Sequence, residues 1–158
     1  MKLCSAIPVI LCLITVPMNA EDWKQRFRTP FEQSGGEETA SYGAAIQFYR
    51  DLASANDRVT IKEMGTTDSG KPLHLVTISN RTTDIASIRD DKRSVLLINN
   101  AIHPGESDGV DASMAFARDV AFDSATYGDQ LSEVIVGIIP IYNIGGALNR
   151  NSGTRANQ

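Results

Sequence analysis

The sequence predicts an α/β fold: a mixed, centrally parallel sheet flanked by helices, an α/β/α sandwich incomplete at its C-terminus. Three patterns predict it. Within residues 94–100 and 134–139 the apolar residues run consecutively, as in strands covered on both faces of a sheet. Between them, residues 108–122 place apolar side chains at helical spacing, giving the strand, helix, strand order of a parallel crossover unit. Upstream, 59–64 and 73–79 alternate on either side of a turn and read as a hairpin edging the same sheet. Of the 158 residues, 42% are apolar and 22% charged, which decides for a globular chain over a disordered one.

The first twenty residues read as a leader. Met1-Lys2 is followed by an apolar stretch from Leu3 to Val16 and then by Pro17-Met18-Asn19-Ala20. A short basic start, an apolar centre and a small residue at the cut describe a secretory signal peptide, cleaved after Ala20. Met18 stands where a second small residue is usual. The stretch falls short of the ~20 apolar residues of a membrane-spanning helix, and Pro8 interrupts it. The competing readings are a buried N-terminal helix or an anchor; a lipid-modified Cys12 is disfavoured by the bulky Leu11. The expectation is an exported protein, periplasmic or extracellular, with no stable membrane insertion after cleavage. Cys4 and Cys12, the two cysteines, both lie in the leader, so the mature chain has neither a disulfide nor a cysteine nucleophile. Without residues 1–20, 14 basic side chains face 19 acidic ones, a charge of −5. There is no basic run, which argues against nucleic acid as a partner.

Residues 21–39 read as an irregular polar segment, with a turn at Thr29-Pro30-Phe31 and a loosened backbone at Gly35-Gly36. From Ser41 to Ala55, the positions Ala44, Ala45, Phe48, Tyr49 and Leu52 mark one face of an amphipathic helix. Val59–Met64 and Leu73–Ser79 are the hairpin strands, joined through Asp68-Ser69-Gly70-Lys71-Pro72. In the helix 108–122, Val110, Met114, Ala117, Val120 and Ala121 form the inner side, Asp108 is the expected N-cap, and Asp111 complements the dipole. Pro140 stops the strand 134–139.

The chemistry concentrates in Asn99-Asn100-Ala101-Ile102-His103-Pro104-Gly105-Glu106-Ser107, between the end of an apolar strand and the start of a helix. Ligands of open α/β sheets bind at that carboxyl end. An imidazole and a carboxylate three residues apart can face one ion, and mixed nitrogen and oxygen donors suit zinc. The plainer reading is a histidine closing a strand and a glutamate at a helix N-terminus. Only two histidines exist, His74 and His103; His74 reads as a surface or half-buried hairpin residue. No Gly-x-Ser-x-Gly elbow is present, which excludes a serine hydrolase of that type.

His103-Pro104-Gly105-Glu106 resembles the His-x-x-Glu zinc motif of the zinc metallocarboxypeptidases, the family of carboxypeptidase A, and the resemblance runs over residues 40–158. Gly65-x-x-x-x-Gly70-Lys71-Pro72-Leu73 followed by Val76-x-Ile78-Ser79 is similar to the family's early hairpin. Pro140-x-x-Asn143 is similar to its Pro-x-x-Asn segment, although Ile144-Gly145-Gly146 replaces the usual Pro-Asp-Gly and Gly105 stands where digestive members carry arginine. The match is therefore to a bacterial-looking branch. The resemblance implies a Zn2+ hydrolase of peptides or cell-wall peptides, with His103 and Glu106 as the first two ligands. It implies a further histidine ligand, an Asn-Arg pair on the substrate carboxylate, a glutamate base and an oxyanion arginine. Arg155 is the candidate arginine, with Arg150 its rival, and Asn143 reads as a turn residue. The second histidine, the Asn-Arg pair and the glutamate have no match here. Either these residues are the N-terminal part of a catalytic domain or the site has been lost; the ending Ala156-Asn157-Gln158, without cap, helix or strand, favours the former. The isolated 158 residues are expected to be inactive. Alternatives are an amidase or deacylase of the same fold and a non-catalytic α/β binding module.

Overall fold

The computed structural model describes residues 20–80, 88 and 90–150. The expected leader lies outside them except for Ala20, and Arg155 lies outside them altogether. In chain order the elements are α1 (Ala20–Arg26), α2 (Pro30–Gln33), α3 (Tyr42–Ala55), β1 (Val59–Thr66), β2 (Pro72–Ile78), β3 (Ser94–Asn99), α4 (Asp108–Phe122), α5 (Ser124–Tyr127), α6 (Gln130–Glu133), β4 (Val134–Ile139) and α7 (Ile144–Leu148). The four strands form one mixed sheet in the order β1-β2-β4-β3. The expected hairpin is its antiparallel edge, β2 runs antiparallel to β4, and β3 runs parallel to β4. A bulge between Glu63 and Gly65 shifts the hairpin register, and Gly65 takes φ 143°, a backbone that side-chain-bearing residues rarely adopt. The predicted mixed α/β sheet with flanking helices is the observed one.

The core lies on the helix-covered face. Val76 and Ile78 of β2 and Val136 and Ile138 of β4 pack with Ala45, Phe48, Tyr49 and Leu52 of α3. The five apolar positions read in 108–122 are all buried in the same cluster. Ser41 caps α3, its hydroxyl accepting from the Ala44 N–H. For α4 the capping expectation is corrected: Ser107 is the N-cap, without a side-chain cap bond, and Asp108 is the first helical residue.

Two further expectations change. The segment 21–39 contains two short helices. Trp23 of α1 and Phe27, the residue after that helix, are buried and stacked on Phe122 of α4, and this tertiary contact holds a helix too short to persist alone. α2 begins with a capping box: Thr29 accepts from the Glu32 N–H, Glu32 accepts from the Thr29 N–H, and Pro30 opens the helix. The second change concerns β3. Val95, Leu96 and Leu97 are 51%, 46% and 57% exposed, not buried on both sides. The consecutive apolar pattern is present, but β3 is the end strand of the described sheet, paired on one side only. Its Leu97 and Leu75 of β2 flank Gly137, where an added Cβ would lie 3.4 and 3.8 Å from their methyl groups, on the face away from the core cluster.

Candidate functional site

β3 and β4 are parallel, so their carboxyl ends release two loops side by side. The loops are stitched together by backbone bonds: Asn100 N–H to the Ile139 carbonyl (3.1 Å), Tyr142 N–H to the Asn100 carbonyl (2.9 Å) and Asn143 N–H to the Ala101 carbonyl (3.1 Å). Ala101 is held between them at φ 49°, a left-handed conformation costing about 1–2 kcal/mol for a residue with a Cβ. Strain of this kind persists where the surroundings fix the backbone and is concentrated at functional loops.

His103 and Glu106 follow at once. The Glu106 N–H donates to the His103 carbonyl (2.9 Å), closing the turn through Pro104 and Gly105 that separates the two residues. His103 is half-buried, Glu106 exposed and Pro104 buried. Both donors line a depression of about 500 Å³ with Asn100, Asp108 and Gly109. Asn100 is 6% exposed; its Oδ1 accepts from the Ser113 hydroxyl (3.1 Å), and its Nδ2 has no hydrogen-bond partner among the described residues. A Cβ at Gly109 would come within 3.1 Å of Asn100 Oδ1, so the first turn of α4 is shaped to admit this carboxamide.

The two donors fit zinc in kind. In number they do not complete it: among the described residues no group of three or more His, Cys, Asp or Glu could hold a metal ion, and a catalytic zinc takes three protein ligands. No catalytic step is therefore assigned to these residues through a metal.

The other candidates separate from this depression. Arg150 is exposed, and its guanidinium donates to the Ala40 carbonyl (3.4 Å). Asn143 is the N-cap of α7, its Oδ1 accepting from the Gly146 N–H (2.9 Å), in line with its reading as a turn residue. His74, expected at the surface or half-buried, is fully buried, at 3% exposure in β2. Its Nδ1 lies 3.4 Å from Tyr42 Oη, which itself donates to the Pro72 carbonyl, and its Nε2 lies 3.6 Å from Glu63 Oε1. Burial and, second, the Arg50 charge hold the His74 imidazole below its ordinary 6.5, against the opposing pull of Glu63 and Pro72. His74 belongs to the hairpin, away from the loop.

Asn100 and the strained Ala101 escaped the sequence reading. Asn100 stands in the same loop as His103 and Glu106, but nothing in a single sequence distinguishes a buried asparagine from an exposed one.

Comparisons with known proteins bear on the family and the fold. The zinc carboxypeptidase family model matches residues 45–157. A carboxypeptidase A from Helicoverpa armigera is similar in structure, with TM-score 0.59 and 22% identity over 73% of this chain and 27% of that one. Bovine thrombin-activatable fibrinolysis inhibitor gives TM-score 0.57 and 18% identity over 75% and 36%. A metallo-carboxypeptidase from Burkholderia cenocepacia gives 0.52 and 23% over 66% and 28%. The chain thus spans between 27% and 36% of the length of these structures. A search among curated proteins gives no match. With a matching family model over most of its length, and a sheet that superposes on these structures, the chain belongs to the zinc carboxypeptidase family.

Proposed function

We propose that these residues form the N-terminal part of an exported zinc metallocarboxypeptidase, which hydrolyses C-terminal bonds of peptides or cell-wall peptides. The observation that carries the reading is the His103–Glu106 turn at the carboxyl end of β3, inside the family match. His103 and Glu106 are its first two zinc ligands, and Arg155 is its candidate oxyanion arginine. Zinc at such a site polarises the scissile carbonyl and lowers the pKa of a bound water toward neutrality. The residues of this chain bring two donors and fix the turn between them through Pro104 and the stitched loops. Two ligands leave the 158 residues short of the catalytic set, so alone they bind zinc below one equivalent and release no amino acid from blocked peptides.

The test is metal content and C-terminal release measured on a chain that carries a further histidine ligand, with and without His103→Ala. Loss of zinc and of activity together is the expected result; retention of both in His103→Ala would sink the ligand assignment. A chain with the further ligand that still bound no zinc would favour the non-catalytic binding module, and release of acyl groups instead of C-terminal residues would favour the deacylase alternative.

A further inference from the structure

A groove of about 650 Å³ runs between the 29–39 segment and the first turns of α4. Its floor is apolar: Phe31, 49% exposed, with Ala112 and Ala115 of α4. Its rim is acidic. Two of its carboxylates are committed inside the fold, Glu32 to Arg118 and Asp111 to the backbone N–H groups of Phe31 and Ala40. The remaining three, Glu37, Glu38 and Asp108, are exposed and make no side-chain hydrogen bond or ion pair with another described residue. Thr39 adds a buried hydroxyl without a partner among the described residues. Among the described residues no lysine or arginine lines the groove. The N-terminus of α4 by itself would attract an anion, but its first turn carries Asp108 and Asp111, which reverse that preference.

An apolar floor under a negative rim suits one kind of guest, an aliphatic stem ending in a cation. The exposed face of Phe31 adds a favourable surface for an ammonium group. Asp108 lines both this groove and the depression that His103 and Glu106 line, so the two are neighbours that meet at this residue. We propose that the groove is a subsite for a lysine-type side chain of the peptide substrate. The assignment of that guest to a substrate rests on the peptidase reading; the recognition of the cation does not.

The experiment titrates the chain with acetyl-Gly-Lys-Gly-amide and, separately, with the same peptide carrying norleucine, which keeps the stem and removes the charge. Backbone amide shifts of Gly36, Glu37, Glu38 and Ala112 report occupancy. The lysine peptide is expected to bind about threefold to tenfold more tightly than the norleucine peptide, the range of exposed charge contacts. The difference is expected to vanish in the double variant Glu37→Gln/Glu38→Gln and to shrink at 0.5 M salt. Both positions are exposed, so the double variant should fold as the parent does, and its thermal midpoint verifies this. Equal affinity for the two peptides, or shifts confined to other parts of the chain, overturns the proposal. The titration needs neither zinc nor turnover, so it separates the two readings. Lysine selectivity in a chain that never gains peptidase activity supports the cation site and removes only its link to a substrate. An active peptidase whose KM for lysine-containing peptides is the same in the double variant removes the subsite and leaves the activity.

Discussion

Replacing Arg118 by alanine should detach the N-terminal segment from α4. The Arg118 side chain is 6% exposed, and one of its nitrogens reaches both Glu32 oxygens (3.0 and 2.7 Å) and the Phe27 carbonyl (3.0 Å). Its guanidinium also lies 6.0 Å from the Trp23 ring centre. Removing one partner of a buried pair costs about 3–5 kcal/mol because the other charge loses its compensation. Here the Glu32 side chain is 35% exposed, so water takes up part of its charge, and about 3 kcal/mol is the appropriate magnitude. For a domain of this size that corresponds to a fall of roughly 10 °C in thermal midpoint. Arg118→Met, which keeps the stem against Trp23, should recover about a third of the loss. The pH dependence has a definite sign. Burial raises the Glu32 carboxyl, but hydrogen bonds from Arg118 and Thr29 and the charges of Arg118 and Arg28 outweigh it, so it titrates below its usual 4.5. The stabilisation is complete above 4.5 and lost as the pH falls through the lowered folded value. Melting curves of the parent and Arg118→Ala should therefore be furthest apart at neutral pH and converge in acid. A midpoint within 3 °C of the parent at pH 7 would refute the claim that this ion pair anchors the segment.

Three other perturbations test separate parts of the structure. Gly146→Ala should destabilise by about 1–3 kcal/mol in a denaturant titration, because the new Cβ would lie 2.4 Å from Pro104 Cγ and 2.9 Å from Asn143 Oδ1; an unchanged midpoint would mean that the α7 contact with the zinc-motif loop is loose. His74 has a lowered folded value, so the unfolded chain binds the extra proton first and stability falls as the pH drops below 6.5 until the folded value is passed. His74→Gln should flatten the stability profile across that interval, and an identical slope would contradict the burial. Leu97→Lys, at a 57% exposed position, should change stability by no more than about 0.5 kcal/mol while reducing self-association seen by light scattering; a large destabilisation would show the side chain to be covered.

The fold was legible where a pattern had one physical cause. The hairpin follows from alternation, α4 from a period of 3.6 and the strands on either side of it from consecutive apolar residues, and the five apolar positions read in α4 are all buried. The apolar run misled at β3, since it records what the strand is suited to pack against, whereas exposure depends on which neighbours are present. The 21–39 segment was missed for the opposite reason. α1 and α2 carry little helical pattern and are held by Trp23, Phe27 and Arg118 against α4, contacts between residues some ninety positions apart in the chain. One local signal was available, the Thr29-Pro30-x-Glu32 capping box, which the turn reading of Thr29-Pro30-Phe31 passed over. At the site, spacing singled out His103 and Glu106, but the strain at Ala101 and the burial of Asn100 arise from the second loop and have no local signature.

That second loop explains why the two short motifs belong together. His-x-x-Glu follows β3 and Pro-x-x-Asn follows β4, and parallel pairing of β3 with β4 requires both to emerge at the same end of the sheet. The backbone bonds from Tyr142 and Asn143 then fix Asn100 and Ala101, and α7, capped by Asn143, lays Gly146 against Pro104. The close approach needs a residue without a Cβ at 146, and this chain keeps glycine there even though the residues before it differ from the family's usual Pro-Asp. Asn143 thus acts on the zinc motif indirectly, by terminating one loop so that α7 can buttress the other. A substitution at Asn143 should accordingly be read first in stability and in the geometry of the 100–106 turn, and in metal affinity only as a consequence of that turn.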